Sequence, residues 1–121
     1  MLNKPKFSLF ANIGYAFDGM VEVLRSEKSF KTQLIVIAVI GVGLIFAHLA
    51  PLSKAILFLS TWMVLIAEAI NSAIERVVDL VTTEYHPLAK QAKDIGAFAV
   101  FLAFLLTTAI WAVVIWQEFI K

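Results

Sequence analysis

Charged residues along this chain fall in clusters separated by long apolar runs, and the lengths of those runs set the first expectation. From Thr32 to Ala50 nineteen consecutive positions carry no fixed charge, and a helix of that length nearly matches a hydrocarbon core of about 30 Å. Pro51, Leu52, Ser53 and Lys54 make a short connection, after which Ala55 to Ile74 is apolar except for Glu68 and Asn71. Ile95 to Gln117 adds twenty-three uncharged positions, closing with Trp111 and Trp116, rings of the kind that favour a membrane interface. The pattern predicts transmembrane helices over about 32–50, 55–74 and 95–117. Upstream, over about 6–28, Phe7, Phe10, Phe17, Val21 and Leu24 recur at spacings of three, four or seven with Gly14 on the same stripe. That spacing predicts an amphipathic helix, lying on the membrane surface or packed on neighbouring protein. Asp18 and Glu22 interrupt this segment, so it does not read as a signal peptide.

Composition agrees with a single domain over 1–121 of the all-α integral membrane class. The 121 residues are 61% hydrophobic with a mean hydropathy of +0.89, above the soluble norm of about half apolar. A net charge of +1, with both signs confined to particular segments, gives no field that would draw nucleic acid. The chain has no cysteine, which excludes disulfides, thiolate metal sites and cysteine nucleophiles. Lys4, Lys6, Arg25, Lys28 and Lys31 precede the first span, and Arg76, Lys90 and Lys93 lie between the second and third; Lys54 and Lys121 remain for the other face. The eight-to-two bias predicts that the N-terminus and the second loop are cytoplasmic, where a soluble phosphate donor would meet them.

The candidate chemistry lies in "EAINSAIERVVDL", Glu68 to Leu80. At 100° per residue Glu68, Asn71, Glu75 and Asp79 fall at about 0°, 300°, 340° and 20°, so they share one face within an arc of about 80°. Glu68 lies roughly 10 Å deeper than Glu75, and an ionisable residue at that depth is a functional candidate by default. The competing reading makes Glu68 a structural carboxylate satisfied by another helix. Asn71 serves equally as an interhelical hydrogen-bonding group. Glu75 and Asp79 are also compatible with solvation or with pairing to Arg76 or a lysine across the loop, which for Asp79 is the favoured reading. Three spans cannot enclose such a stripe, and the small residues Ala69 and Ala73 allow close helix approach, so a homo-oligomer is the economical way to bury it.

The loop adds Glu84, Tyr85 and His86, then Pro87 in a place suited to the first turn of a short helix, then Lys93 and Asp94 just before the third span. Structural readings stand beside these: Lys93 snorkelling, Asp94 capping the helix, His86 as a turn residue, Glu27 in a solvated pair with Lys28. Clustered carboxylates repel phosphate, so a nucleotide bound here requires a bridging divalent ion, and oxygen ligands suit Mg²⁺. Neither a Gly-x-x-x-x-Gly-Lys-Ser/Thr loop nor the soluble-kinase catalytic loop is present.

The stripe together with "TTEYHPLAKQAKD", "GYAFDG", "SEKSF" and the Trp111 to Trp116 spacing resembles the prokaryotic diacylglycerol kinase family over nearly the whole chain. The resemblance implies a bacterial inner-membrane homotrimer, a surface helix plus three transmembrane helices per chain, that phosphorylates a lipid alcohol with MgATP. Matched position by position, it implies Glu68 as general base with the amide of Asn71 beside it. It implies Glu27 and Glu75 as metal and nucleotide ligands, and Tyr15, Glu84, Tyr85, His86, Lys93 and Asp94 as nucleotide-binding positions. Lys93 would also offset charge on the transferred phosphoryl group, and Trp111 and Trp116 would face the lipid substrate. Ser8 stands where the family has an arginine at the nucleotide site, with Lys6 near it; Gln33 replaces an acidic residue and Ala97 a serine. Related undecaprenol kinases share the stripe and remain an alternative. A small oligomeric transporter or proton channel would also place Glu68 in a span, but would not need Glu27, Glu75, Lys93 and Asp94 at one edge.

Overall fold

A computed structural model describes residues 7–120. Lys4, Lys6 and Lys121, counted above for orientation, lie outside the described residues. The fold is four helices: α1 (Leu9–Ser26), α2 (Lys28–Phe46), α3 (Pro51–Val81) and α4 (Pro87–Ile120). Among the described residues there is no strand. The last three helices are each long and apolar enough to cross a membrane.

Local chemistry sets where each helix starts and stops. Ser8 caps α1, its Oγ accepting the Ala11 amide at 3.4 Å, which satisfies one orphan donor of the first turn. Glu27 alone separates α1 from α2, in extended conformation at φ −105° and ψ 107°. Its amide donates to the Val23 carbonyl at 2.9 Å and its carbonyl accepts the Lys31 amide at 3.3 Å. One residue therefore closes one helix and opens the next, and the bend holds the Glu27 side chain at the elbow. Pro51 and Pro87 begin α3 and α4, where a missing amide hydrogen costs nothing. His86 caps α4, its Nδ1 accepting the Leu88 amide at 3.2 Å.

Two helices outrun the bilayer. At 1.5 Å per residue the 31 residues of α3 span about 46 Å and the 34 of α4 about 51 Å, against a core of about 30 Å. The short helix expected after Pro87 is not separate: it runs without a break into the third span, because no glycine or proline punctuates Leu88–Ile95. The charged end of the α3–α4 hairpin thus continues past the apolar zone as helix.

Packing centres on α3, which contacts α4 most extensively and then α2. One cluster joins Phe30, Ile37 and Leu65 with Val23, Leu24, Leu34 and Phe58; another joins Leu44, Leu57 and Val114 with Ile40, Ile110 and Trp111. Leu57 is fully buried. Polar groups at this depth are satisfied internally, as hydrocarbon requires. Ser60 Oγ donates to the Leu57 carbonyl at 2.8 Å and accepts Trp111 Nε1 at 3.1 Å, while Thr107 Oγ1 donates to the Ser60 carbonyl at 3.0 Å.

Candidate functional site

The predicted stripe lies on one continuous helix, and Glu27 from outside that helix comes within electrostatic reach of it. Glu68 is half-buried, and the carboxylates of Glu75 and Glu27 both lie within electrostatic reach of it. Glu75 comes from the same face two turns on, whereas Glu27 arrives from the α1–α2 elbow. Among the described residues Glu68 takes no hydrogen bond and no ion pair. It opens instead into a groove of about 630 Å³ lined by Lys28, Ser29, Thr32, Gln33, Val36 and Phe104. Gln33, where an acidic residue was expected from the resemblance, is one wall of that groove.

Asn71 points to α4. Its Nδ2 donates to Glu75 Oε1 at 3.1 Å, and its Oδ1 is buried with no hydrogen-bond donor among the described residues. The amide therefore acts on the neighbouring carboxylate of its own stripe.

Arg76 is the residue that sequence reasoning left aside. Considered there only as a partner for Glu75 or Asp79, it reaches across to α1 and binds Glu22 at 3.1 Å, Glu27 at 3.5 Å and Ser26 Oγ. Its position beside Glu75 was visible in the sequence; its partners depend on where α1 lies. With Ala16, Gly19, Met20, Ala69 and Ser72, Arg76 lines a cleft of about 460 Å³ between α1 and α3.

A second polar cleft of about 270 Å³ forms at the hairpin tip and gathers Asp79, Glu84, Tyr85, His86, Lys90, Lys93 and Asp94. Lys93 Nζ binds Asp79 Oδ1 at 2.6 Å, so of solvent, Arg76 and a lysine across the loop it is the lysine that meets Asp79. Asp94 pairs with Lys90 one turn earlier on α4 and so caps nothing. Thr82 Oγ1 accepts the Glu84 amide at 3.1 Å and orders the loop, while Tyr85 stands 81% exposed. Within one chain this cleft shares no lining residue with the Glu68 groove. Tyr15, exposed on α1, lines neither.

The tryptophan pair lies elsewhere. Trp111 bonds Ser60, which is eight residues from Glu68 and so about 12 Å away along α3. Trp111 is partly buried and directs its N–H into the α3–α4 contact, as indole N–H groups seek a partner. Trp116 is 66% exposed one and a half turns further from the carboxylates.

No three carboxylate or imidazole groups among the described residues converge into a ready-made metal cage. Glu27 and Glu75 offer two hard oxygen donors, the protein share that Mg²⁺ takes when phosphates and water supply the rest. That donor set fits the ion.

Comparison with known proteins bears on what such a set of carboxylates belongs to. A family model described as prokaryotic diacylglycerol kinase matches residues 14–115. The chain is 31% identical to a protein named diacylglycerol kinase from Escherichia coli strain K12 over 106 residues, covering 88% of this chain and 87% of that one. It is 36% identical to a protein of the same name from Pseudomonas aeruginosa over 103 residues, covering 84% and 83%. A Helicobacter pylori relative, also so named, is 35% identical over 105 residues, covering 85% and 80%. The match runs from Gly14 on α1 to Ile115 on α4, taking in the elbow, the acidic stripe and the hairpin tip together, and on that ground the chain belongs to the prokaryotic diacylglycerol kinase family.

Proposed function

We propose that this protein transfers the γ-phosphoryl group of ATP to the free hydroxyl of diacylglycerol, giving phosphatidic acid and ADP. It does so as a homotrimer in a bacterial inner membrane, with α1 amphipathic on the membrane surface and the N-terminus and α3–α4 loop in the cytoplasm. The observation that carries the reading is the setting of Glu68. A carboxylate without a partner among the described residues of the single chain, within reach of two others, opens onto a largely apolar groove. Such a setting leaves the carboxylate free to take a proton from a hydroxyl that enters the groove.

In this mechanism Glu68 accepts the hydroxyl proton as the oxygen attacks the γ-phosphorus and the bond to the ADP oxygen breaks. Glu27 and Glu75 would hold Mg²⁺, which would supply neutralisation of the phosphate charge. The Asn71 amide orients the Glu75 carboxylate through the bond between them. Lys93 offsets charge spreading onto the transferred group, and Tyr15, Glu84, Tyr85, His86 and Asp94 contact the nucleotide. Arg76 keeps the Glu27 carboxylate aimed at α3 by holding α1 against it. The trimer is supported by apolar side chains at the hairpin end, Val77, Leu80, Val81 and Leu88, all exposed in the single chain.

The test is an assay of detergent-solubilised protein with MgATP and either diacylglycerol or undecaprenol, measuring phosphorylated lipid. Phosphate on diacylglycerol is expected; phosphate on undecaprenol alone would reassign the substrate, and phosphate on neither would end the kinase reading. Glu75→Gln is expected to weaken Mg²⁺-dependent ATP binding at least about tenfold, the loss typical of removing a charge-assisted ligand, while the wild-type helical content remains.

A further inference from the structure

We propose that Gly96 is a positioning residue whose missing side chain forms the slot that orients the Asn71 amide toward Glu75. This deepens the lipid-kinase reading and rests on it for the role of Glu75. A Cβ built on Gly96 would lie 2.2 Å from Asn71 Oδ1, 3.3 Å from Asn71 Cγ and 3.7 Å from Ile74 Cδ1. Real side chains do not approach so closely, so a Cβ at Gly96 would displace the Asn71 amide from its present position. The other glycines differ: Gly14, Gly19 and Gly43 would meet nothing within 4 Å, and Gly41 would meet only the Phe58 ring. The requirement is one of space, because no described glycine has a positive φ that would call for glycine by conformation.

The same geometry accounts for the buried, donorless Asn71 Oδ1. A hydrogen of Gly96 Cα occupies the direction in which a Cβ would be built, so that C–H points at the amide oxygen. Such contacts recur where helices pack closely. On its other side the amide donates from Nδ2 to Glu75 Oε1 at 3.1 Å. Turning the amide over would set its oxygen against the Glu75 carboxylate and its NH₂ against the Gly96 C–H, two repulsive contacts in place of two favourable ones. The slot therefore selects which end of the amide faces Glu75, and Gly96 acts on the site only through Asn71.

A double-mutant cycle tests this on the full-length protein in detergent, using Gly96→Ala, Asn71→Ala and the two combined. Two readouts are taken: the thermal midpoint of the helical signal without substrate, and kcat with KM for MgATP and for diacylglycerol well below that midpoint. Gly96→Ala alone is expected to lower the midpoint, to cut kcat by about a hundredfold, the effect of a displacement near 1 Å, and to raise KM for MgATP through the misplaced Glu75 carboxylate, with KM for diacylglycerol within about twofold of wild type. Added to Asn71→Ala, which vacates the slot, Gly96→Ala is expected to lower neither quantity further. Equal losses in both backgrounds, a loss of stability without a loss of kcat, or no loss in either background would each overturn the proposal. Should the wild type phosphorylate no lipid, the kinase reading fails by itself, and the thermal cycle still decides whether Gly96 and Asn71 are coupled.

Discussion

The two ends of the α3–α4 pair are built on different principles. Toward Pro51 and Ile120 the helices close on one another through Leu57 and Val114, with Leu44 of α2 in the same cluster, and the Ser60–Trp111 and Ser53–Glu118 bonds satisfy polar groups within the contact. Toward Val81 and Pro87 they are joined by the Asn71–Gly96 slot and the Asp79–Lys93 pair, with clefts between and beside them. About 33 Å of one helix separates Leu57 from Asp79. Close packing at the first end leaves the second free to hold carboxylates apart from their neighbours, which packing alone would never stabilise.

That contrast predicts that substitutions at the polar end alter turnover without unfolding, and that substitutions at the packed end do the reverse. Glu68→Gln is the sharpest case, expected to lower turnover by about a thousandfold, as for loss of a general base, while the thermal midpoint and ATP binding stay at wild-type values. Near-normal turnover would remove Glu68 from the chemistry. Next, Leu57→Ala opens a cavity in the fully buried position and is expected to cost roughly 2–3 kcal/mol by denaturant titration in detergent. Turnover per folded molecule should be unchanged, and a fall in kcat would mean that the two ends are coupled.

Ser60→Ala removes one interhelical bond and leaves the Trp111 N–H without its partner. A loss of about 0.6 kcal/mol is expected from the behaviour of such bonds between membrane helices, read in the same titration. Asp79→Asn should have the smallest effect. Its pair with Lys93 is exposed to solvent, where ion pairs contribute little, so stability should hardly move and turnover should stay within about threefold if Lys93 needs no fixed partner to act. A large loss would bring Asp79 into the site.

How far these features could be read beforehand depends on how local their causes are. The three spans followed from uncharged runs, since a bilayer tests length and hydropathy without regard to partners. The shared face of Glu68, Asn71, Glu75 and Asp79 followed from helical spacing, whereas which of solvent, Arg76 or a lysine across the loop meets Asp79 was open, and Lys93 meets it. The union of the post-Pro87 segment with the third span was not anticipated, because charges around Lys90–Asp94 look like an ending when read by hydropathy, yet cost a helix nothing outside the membrane. His86 was assigned to a nucleotide, and in this fold its Nδ1 also caps α4.

The amino-acid sequence by itself determined which segments are helices, which of them can cross a bilayer, and which acids lie along one line, since each of these depends on residues within a few turns of one another. Only the tertiary structure decided that Arg76 clasps Glu22 and Glu27, that Trp111 turns inward to Ser60, and that Gly96 makes room for Asn71. These depend on the rotation and separation of one helix against another. Hydropathy is nearly indifferent to either, whereas hydrogen bonds and steric exclusion change over a single ångström.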